Sequence, residues 1–354
     1  MATVTTRTTV TLKQAAELIV ACPNNRFLLQ GEPGIGKTAV KKMLEDLTGY
    51  ASVYIDVPNM ELGDGAIPIP VKETKTLEYY INGRFQFHLN KPVVIMLDEF
   101  TKAMDAVKNM LHPMLEVNNP RLGDVPVPPG SLVIMTGNLS SDGVGDGLKA
   151  HTRMRITTLE VSKPTADLWL EWAAYNGIHP VIMAWVHRTR YCLASYRDGD
   201  QQGNPYIFFP NTMQGAVVTP RTLELASNVV WARDKFDHTA LHAALAGTVG
   251  EAAAASIASF IAHQDSLPSW KEITESPKTA KIPEESGALA VMVYAAMERV
   301  TKDTLPAFLT YISRADAEWQ CIFCIALARN KNKQAMAFQC KSFAEWVSKN
   351  EDLL

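Results

Sequence analysis

The sequence predicts a parallel β-sheet covered on both faces by helices over residues 1–163, followed by a region made only of helices. Two observations carry this. Short, continuous apolar runs at 26–30, 52–57, 93–97, 132–136 and 156–161 alternate with segments of helical periodicity, as strands buried on both faces require. From Pro164 onward the strand-like runs stop, and helical segments separated by Pro, Gly and Asn/Asp turns take over.

In chain order, Leu12–Ala21 carries apolar residues at helical spacing, with Thr11 placed to cap its start. The strand at 26–30 ends in a Gly-rich turn, and a helix follows from 37 to 47. Residues 100–114 also read as helix, after the strand at 93–97. The second half reads as helices at 165–175, 180–191, 221–233, 238–262, 288–301, 305–313 and 315–328. Two polar connections bearing Pro or Gly, 198–210 and 266–285, are expected to be mobile loops. The expected division is an α/β domain at 1–163, a helical domain at 164–286 and a helical C-terminal extension at 287–354.

Composition excludes several classes. The chain of 354 residues is 47% hydrophobic and 20% charged, ordinary for folded domains with real cores. A net charge of -3 offers nucleic acid no general attraction, so such a partner is possible but not indicated. The Thr-rich start lacks the apolar segment of a signal peptide, and the apolar stretches 245–262 and 288–297 are too interrupted or too short to span a bilayer. No membrane partner and a cytoplasmic location are expected. Five scattered cysteines, Cys22, Cys192, Cys321, Cys324 and Cys340, fit reduced thiols. Cys321 and Cys324 lie in an apolar helix without a second pair at zinc spacing, so core packing is the expectation. His238 and His242 share a helix face, but Thr239 stands where a zinc protease carries its glutamate. Trp169, Trp172 and Tyr175 read as core, and 140–147 as a flexible Gly/Asp loop.

Three motifs carry chemistry. Gly31-Glu32-Pro33-Gly34-Ile35-Gly36-Lys37-Thr38 matches G-x-x-x-x-G-K-(S/T), whose backbone N–H groups cradle phosphates at a helix start. Lys37 would reach the β- and γ-phosphates and the Thr38 hydroxyl would hold Mg²⁺. Second, the apolar strand at 93–97 runs into Asp98-Glu99, which places two carboxylates at the carboxyl edge of the sheet. Asp98 can position Mg²⁺ and Glu99 can orient an attacking water; the bland alternative is a pair of carboxylates capping the next helix. Third, the strand at 132–136 leads through Gly137 to Asn138, an amide placed for the γ-phosphate or the water, or otherwise a turn residue.

These elements in this order resemble the AAA+ ATPases, and details lean towards the MoxR or dynein-related branch. The details are Asp98-Glu99-Phe100-Thr101-Lys102-Ala103, the Val-Pro-Val-Pro-Pro within 121–129, and Thr136-Gly137-Asn138. The resemblance covers roughly residues 12–235. It implies ATP and Mg²⁺ as cofactors and makes Asn138 the polar sensor of the third strand. It also implies an arginine finger acting on the neighbouring subunit's nucleotide: Arg155, before Ile156, fits best, with Arg153 as runner-up and two surface arginines as the bland alternative. Thr219-Pro220-Arg221 resembles the second sensor, which makes 164–286 a helical lid and Arg221 its phosphate contact; a proline at a helix start is also an ordinary structural device.

The implied function is a ring motor, a hexamer by resemblance, with MoxR-like chaperone activity. It would remodel a macromolecule, a protein reached directly or through a von Willebrand A-domain adaptor. A DNA-acting motor or loader, or a nucleotide-gated scaffold of low turnover, are the alternatives. Segments 60–88 and 118–129 are expected as loops or hairpins facing the partner.

Overall fold

The structure, a computed structural model, describes residues 8–139, 148–210, 212 and 214–353; the Gly/Asp loop expected at 140–147 lies outside the described residues. The chain divides into two compact units, Met1–Lys163 with Pro210–Thr212, and Pro164–Phe209 with Met213–Leu354.

The first unit is built on five parallel strands: β1 (Phe27–Gln30), β2 (Ala51–Asp56), β5 (Val93–Asp98), β8 (Leu132–Gly137) and β9 (Thr157–Glu160), in the order β2-β5-β8-β1-β9. Alternation explains why the three inner strands, β1, β5 and β8, are apolar almost throughout. Leu28, Ile95, Leu97, Val133 and Met135 face one core with Phe100, Val107 and Leu111. Phe27, Leu29, Val94, Met96, Leu132 and Ile134 face the other, under helices α1 (Leu12–Ala21) and α2 (Val40–Thr48). Each inner strand therefore needs apolar residues on both faces, whereas the edge strands β2 and β9 do not. A reciprocal capping box of Thr11 and Gln14 starts α1.

Residues 60–88 include an antiparallel hairpin, β3 (Ala66–Val71) with β4 (Thr76–Ile81). Its exposed apolar residues Ile67 and Tyr80 lie on one face and Leu77 and Tyr79 on the other. A smaller hairpin, β6 (Arg121–Leu122) with β7 (Val125–Pro126), occupies part of 118–129. The helix expected at 100–114 is instead a 3-10 turn Phe100–Lys102, the short α3 (Asp105–Leu111) and a second turn His112–Leu115. Pro113 accounts for the later break, because it lacks an N–H for helical bonding.

In the second unit, one hydrophobic core joins α5 (Ala166–Ala173), α6 (Pro180–Arg188), α7 (Pro220–Trp231), α8 (His238–Val249), α9 (Glu251–Asp265), α10 (Trp270–Glu275), α11 (Ser286–Arg299), α12 (Leu305–Ile312) and α13 (Ala317–Arg329). Residues 289–294, 296 and 297 of α11 are buried in this shared core. The single helix expected at 238–262 is broken at Gly250, whose φ is 88° and ψ 157°. A Cβ there would sit 2.5 Å from the Ala216 carbonyl oxygen, so only glycine fits the turn. The connection at 266–285 is no open loop: it contains α10 and buries Ile273 and Ala280. Two further helices, α14 (Gln334–Phe338) and α15 (Lys341–Lys349), follow within the stretch 287–354 expected to be helical. Cys324 is buried in this core, and burial pushes its thiol up.

Candidate nucleotide site

Residues 31–36 turn the chain from the end of β1 into a 3-10 turn, Lys37–Ala39, that leads directly into α2. Gly34 and Gly36 have left-handed φ values of 74° and 94°. At Gly31 a Cβ would stand 2.6 Å from Ile35 Cδ1 and 2.8 Å from the Val161 carbonyl, so the loop closes on itself only with hydrogen there. Lys37 Nζ donates to the carbonyls of Gly31 at 2.8 Å and Glu32 at 2.9 Å, and to Asn138 Oδ1 at 3.3 Å. The loop lysine and the polar residue beyond β8, 101 positions apart, thus meet at one edge of the sheet.

The two carboxylates stand at the same edge. Asp98 ends β5 and is half-buried. One of its oxygens accepts from the Thr136 hydroxyl on β8, and the other from the Tyr54 hydroxyl on β2 at 2.7 Å. Partial burial, then the hydrogen bond to Asp98, pushes the Tyr54 hydroxyl up to about 12, so Tyr54 stays a donor at neutral pH. Thr136 Oγ1 also accepts the Glu99 backbone N–H at 2.9 Å. Glu99 has a φ of 51°, a sparsely populated left-handed conformation for a non-glycine residue. Its carboxylate is held by Lys102 Nζ at 2.9 Å.

These donors suit a magnesium nucleotide. Backbone N–H groups of a glycine-rich loop at a helix start are the donors that phosphate oxygens take. The Thr38 hydroxyl and Asp98 carboxylate are hard oxygen ligands of the type Mg²⁺ takes.

Arg155 lies at the opposite edge. β1 and β9 run parallel with Phe27 beside Thr157, so residues 153–156 precede the strand at its amino edge, while the phosphate loop follows β1 at the carboxyl edge. Four strand residues separate those edges by about 13 Å. There Arg155 donates to Glu116 Oε1 at 3.2 Å, and Glu116 Oε2 accepts from Arg121 at 3.3 Å. Arg26 is buried nearby, bonded to the Met114 and Glu116 carbonyls. His112 stacks edge-on against His151 at 5.0 Å; burial, with Arg155 and His151 nearby, pushes its ring down. Arg153 is exposed, like Arg155. Arg221 belongs to the second unit, at the exposed first turn of α7, where Thr219 and Thr222 form a capping box.

Sequence reasoning missed Tyr54, Lys102 and Glu116 as partners of the site. Thr136 was visible as a strand-end residue, but its two hydrogen bonds follow from β8 lying beside β5.

Residues 26–155 match the family model of the AAA domain, dynein-related subfamily. This segment is an AAA domain. Its activity is ATP hydrolysis, and the AAA+ ATPases to which it is related generally bind ATP with Mg²⁺ and form oligomeric rings. No curated protein matches the chain. Among solved structures, the chain is similar to a candidate ATPase from Cytophaga hutchinsonii, at 14% identity over 67% of this chain and 81% of that one, with a TM-score of 0.34. It is also similar to the Holliday junction branch migration motor RuvB of Thermotoga maritima, at 16% identity over 86% of each chain, with a TM-score of 0.37.

Proposed function

We propose that this AAA domain drives a MoxR-like ring motor, a hexamer by resemblance, that remodels a protein partner in the cytoplasm. The partner would be engaged directly or through a von Willebrand A-domain adaptor. The observation that carries the reading is the separation of the arginines from the phosphate loop. Lys37, Asp98, Glu99 and Asn138 share the carboxyl edge of the sheet, while Arg155 and Arg153 stand at the amino edge. An arginine so placed is remote from its own subunit's nucleotide, as a residue acting on a neighbour's nucleotide must be.

In this mechanism Lys37 and the loop N–H groups bind the phosphates. Thr38 and Asp98 would hold Mg²⁺, which neutralises charge on the β- and γ-phosphates. Glu99 exchanges Lys102 for the attacking water and orients it, and Asn138 turns from Lys37 to the γ-phosphate. Arg155, with Arg153 as the alternative, supplies charge to the neighbour's transition state. Arg221 carries the nucleotide state to the helical region, converting phosphate chemistry into domain motion.

The test is ATPase rate against protein concentration, with particle size read in parallel. Rate per subunit should rise with assembly. Glu99→Gln should bind nucleotide and assemble without turnover, and Arg155→Ala should assemble with turnover reduced about 10³-fold or more. Turnover indifferent to concentration and to both Arg155→Ala and Arg153→Ala would sink the ring reading.

A further inference from the structure

The second unit contains a cavity of about 270 Å³ bounded by the end of α9, α10 and α11 and by Arg233 beyond α7. Among the described residues, four buried side-chain polar atoms lack a hydrogen-bond partner. Two of them, Arg233 Nη1 and Gln264 Oε1, belong to residues lining this cavity. One is a donor and the other an acceptor. Buried polar groups are ordinarily satisfied, so two orphans on one wall call for an occupant that answers both.

Charge narrows its chemistry. Arg233 is held in place by Asp265, which takes its other terminal nitrogen, while Arg299, also on the wall, is exposed. Asp234 also pairs with Arg233, through Nε at 3.8 Å, yet Arg233 Nη1 still lacks an acceptor and Arg299 brings a second guanidinium to the same cavity. The two guanidiniums also act together on His179: burial first, then Arg233 and Arg299, pushes its ring down to about 4. The remaining wall is substantially apolar, with Trp270 and Ile273 on α10. A simple inorganic anion such as sulfate would satisfy the arginines. It would leave Gln264 Oε1 without a donor and the apolar wall uncovered.

We propose that this cavity binds an α-carboxylate that carries an N–H donor beside it and an apolar side chain. The carboxylate pairs with Arg233 and Arg299, the N–H donates to Gln264 Oε1, and the side chain covers Trp270 and Ile273. A free apolar amino acid and the C-terminal residue of a polypeptide share this chemistry. The cavity exceeds the ~30 Å³ share of one water several-fold, enough for either.

The experiment is calorimetric titration of the full chain with L-leucine and L-phenylalanine, their N-acetyl derivatives, and the N-acetyl amides. The expected result is one-to-one binding of at least one carboxylate, with its amide counterpart at least tenfold weaker. Binding of the N-acetyl acids identifies a polypeptide end, and binding of the free amino acids alone identifies a metabolite. Arg299→Ala, at an exposed position, should weaken the carboxylate at least tenfold with an unchanged thermal melt, and Gln264→Leu should weaken it as well. The proposal is overturned if no carboxylate in the panel binds, if acids and amides bind alike, or if Arg299→Ala leaves the affinity unchanged. Water bridging Arg233 and Gln264 would then be the occupant.

Discussion

At His179 one ring nitrogen links helix capping to pH. Its Nδ1 accepts the Val181 N–H at 3.1 Å and so caps α6, which only a neutral ring can do. Burial, with Arg233 and Arg299, depresses its folded-state value from 6.5 to about 4. The contribution is therefore complete above about pH 6.5 and is lost as pH falls towards 4, amounting to on the order of 3 kcal/mol. Urea unfolding from pH 7 to 4 should show that loss in the wild type and a smaller one in His179→Asn, which keeps a capping acceptor; parallel curves would refute it. Tyr54 offers a residue-scale test of the site. The Tyr54 hydroxyl orients one Asp98 oxygen, and losing that orientation in Tyr54→Phe should raise the Mg²⁺ concentration needed for fluorescent-nucleotide binding several-fold. The rate at saturating Mg²⁺ should change little, and an unaltered Mg²⁺ requirement would remove Tyr54 from the site. Asp98 and Glu99 were legible because two carboxylates closing an apolar strand are locally unusual. Tyr54 was not, because its partner is 44 positions away and becomes adjacent only when β2 pairs with β5.

At the scale of elements, Gly250 decides whether 238–262 is one helix or two. Its φ and ψ fall where a side chain is strained, and a Cβ would crowd the Ala216 carbonyl. Gly250→Ala should therefore cost about 2–3 kcal/mol, read as a lower urea midpoint of the second unit with its m-value unchanged; an unchanged midpoint would mean that the turn tolerates a Cβ. In the sequence this glycine was one residue inside an otherwise apolar helical run, where glycine is tolerated at modest cost. Contact with a segment 34 positions earlier in the chain turned it into a helix break. The strands were legible for the opposite reason. A strand buried on both faces must be apolar at every position, which leaves a mark in its own sequence.

At the scale of the whole molecule, each unit has its own core, so scanning calorimetry should resolve two unfolding transitions. A non-hydrolysable ATP analogue at a hundred times its Kd should stabilise the first unit by about 2.7 kcal/mol, and Lys37→Ala should abolish that shift. A single transition raised by nucleotide throughout would show the units to be coupled. The sequence by itself determined the parallel α/β unit, the helical remainder and the change near Pro164, and it marked out the glycine-rich loop with its candidate acidic and amide residues. Each depends on local periodicity or on backbone demands within a few residues. Only the tertiary structure decided the strand order β2-β5-β8-β1-β9, the hydroxyls that hold Asp98, the opposite edges given to Lys37 and Arg155, and the lining of the charged cavity. Those depend on which distant strands and helices lie side by side, and long-range pairing leaves no local periodicity in either partner.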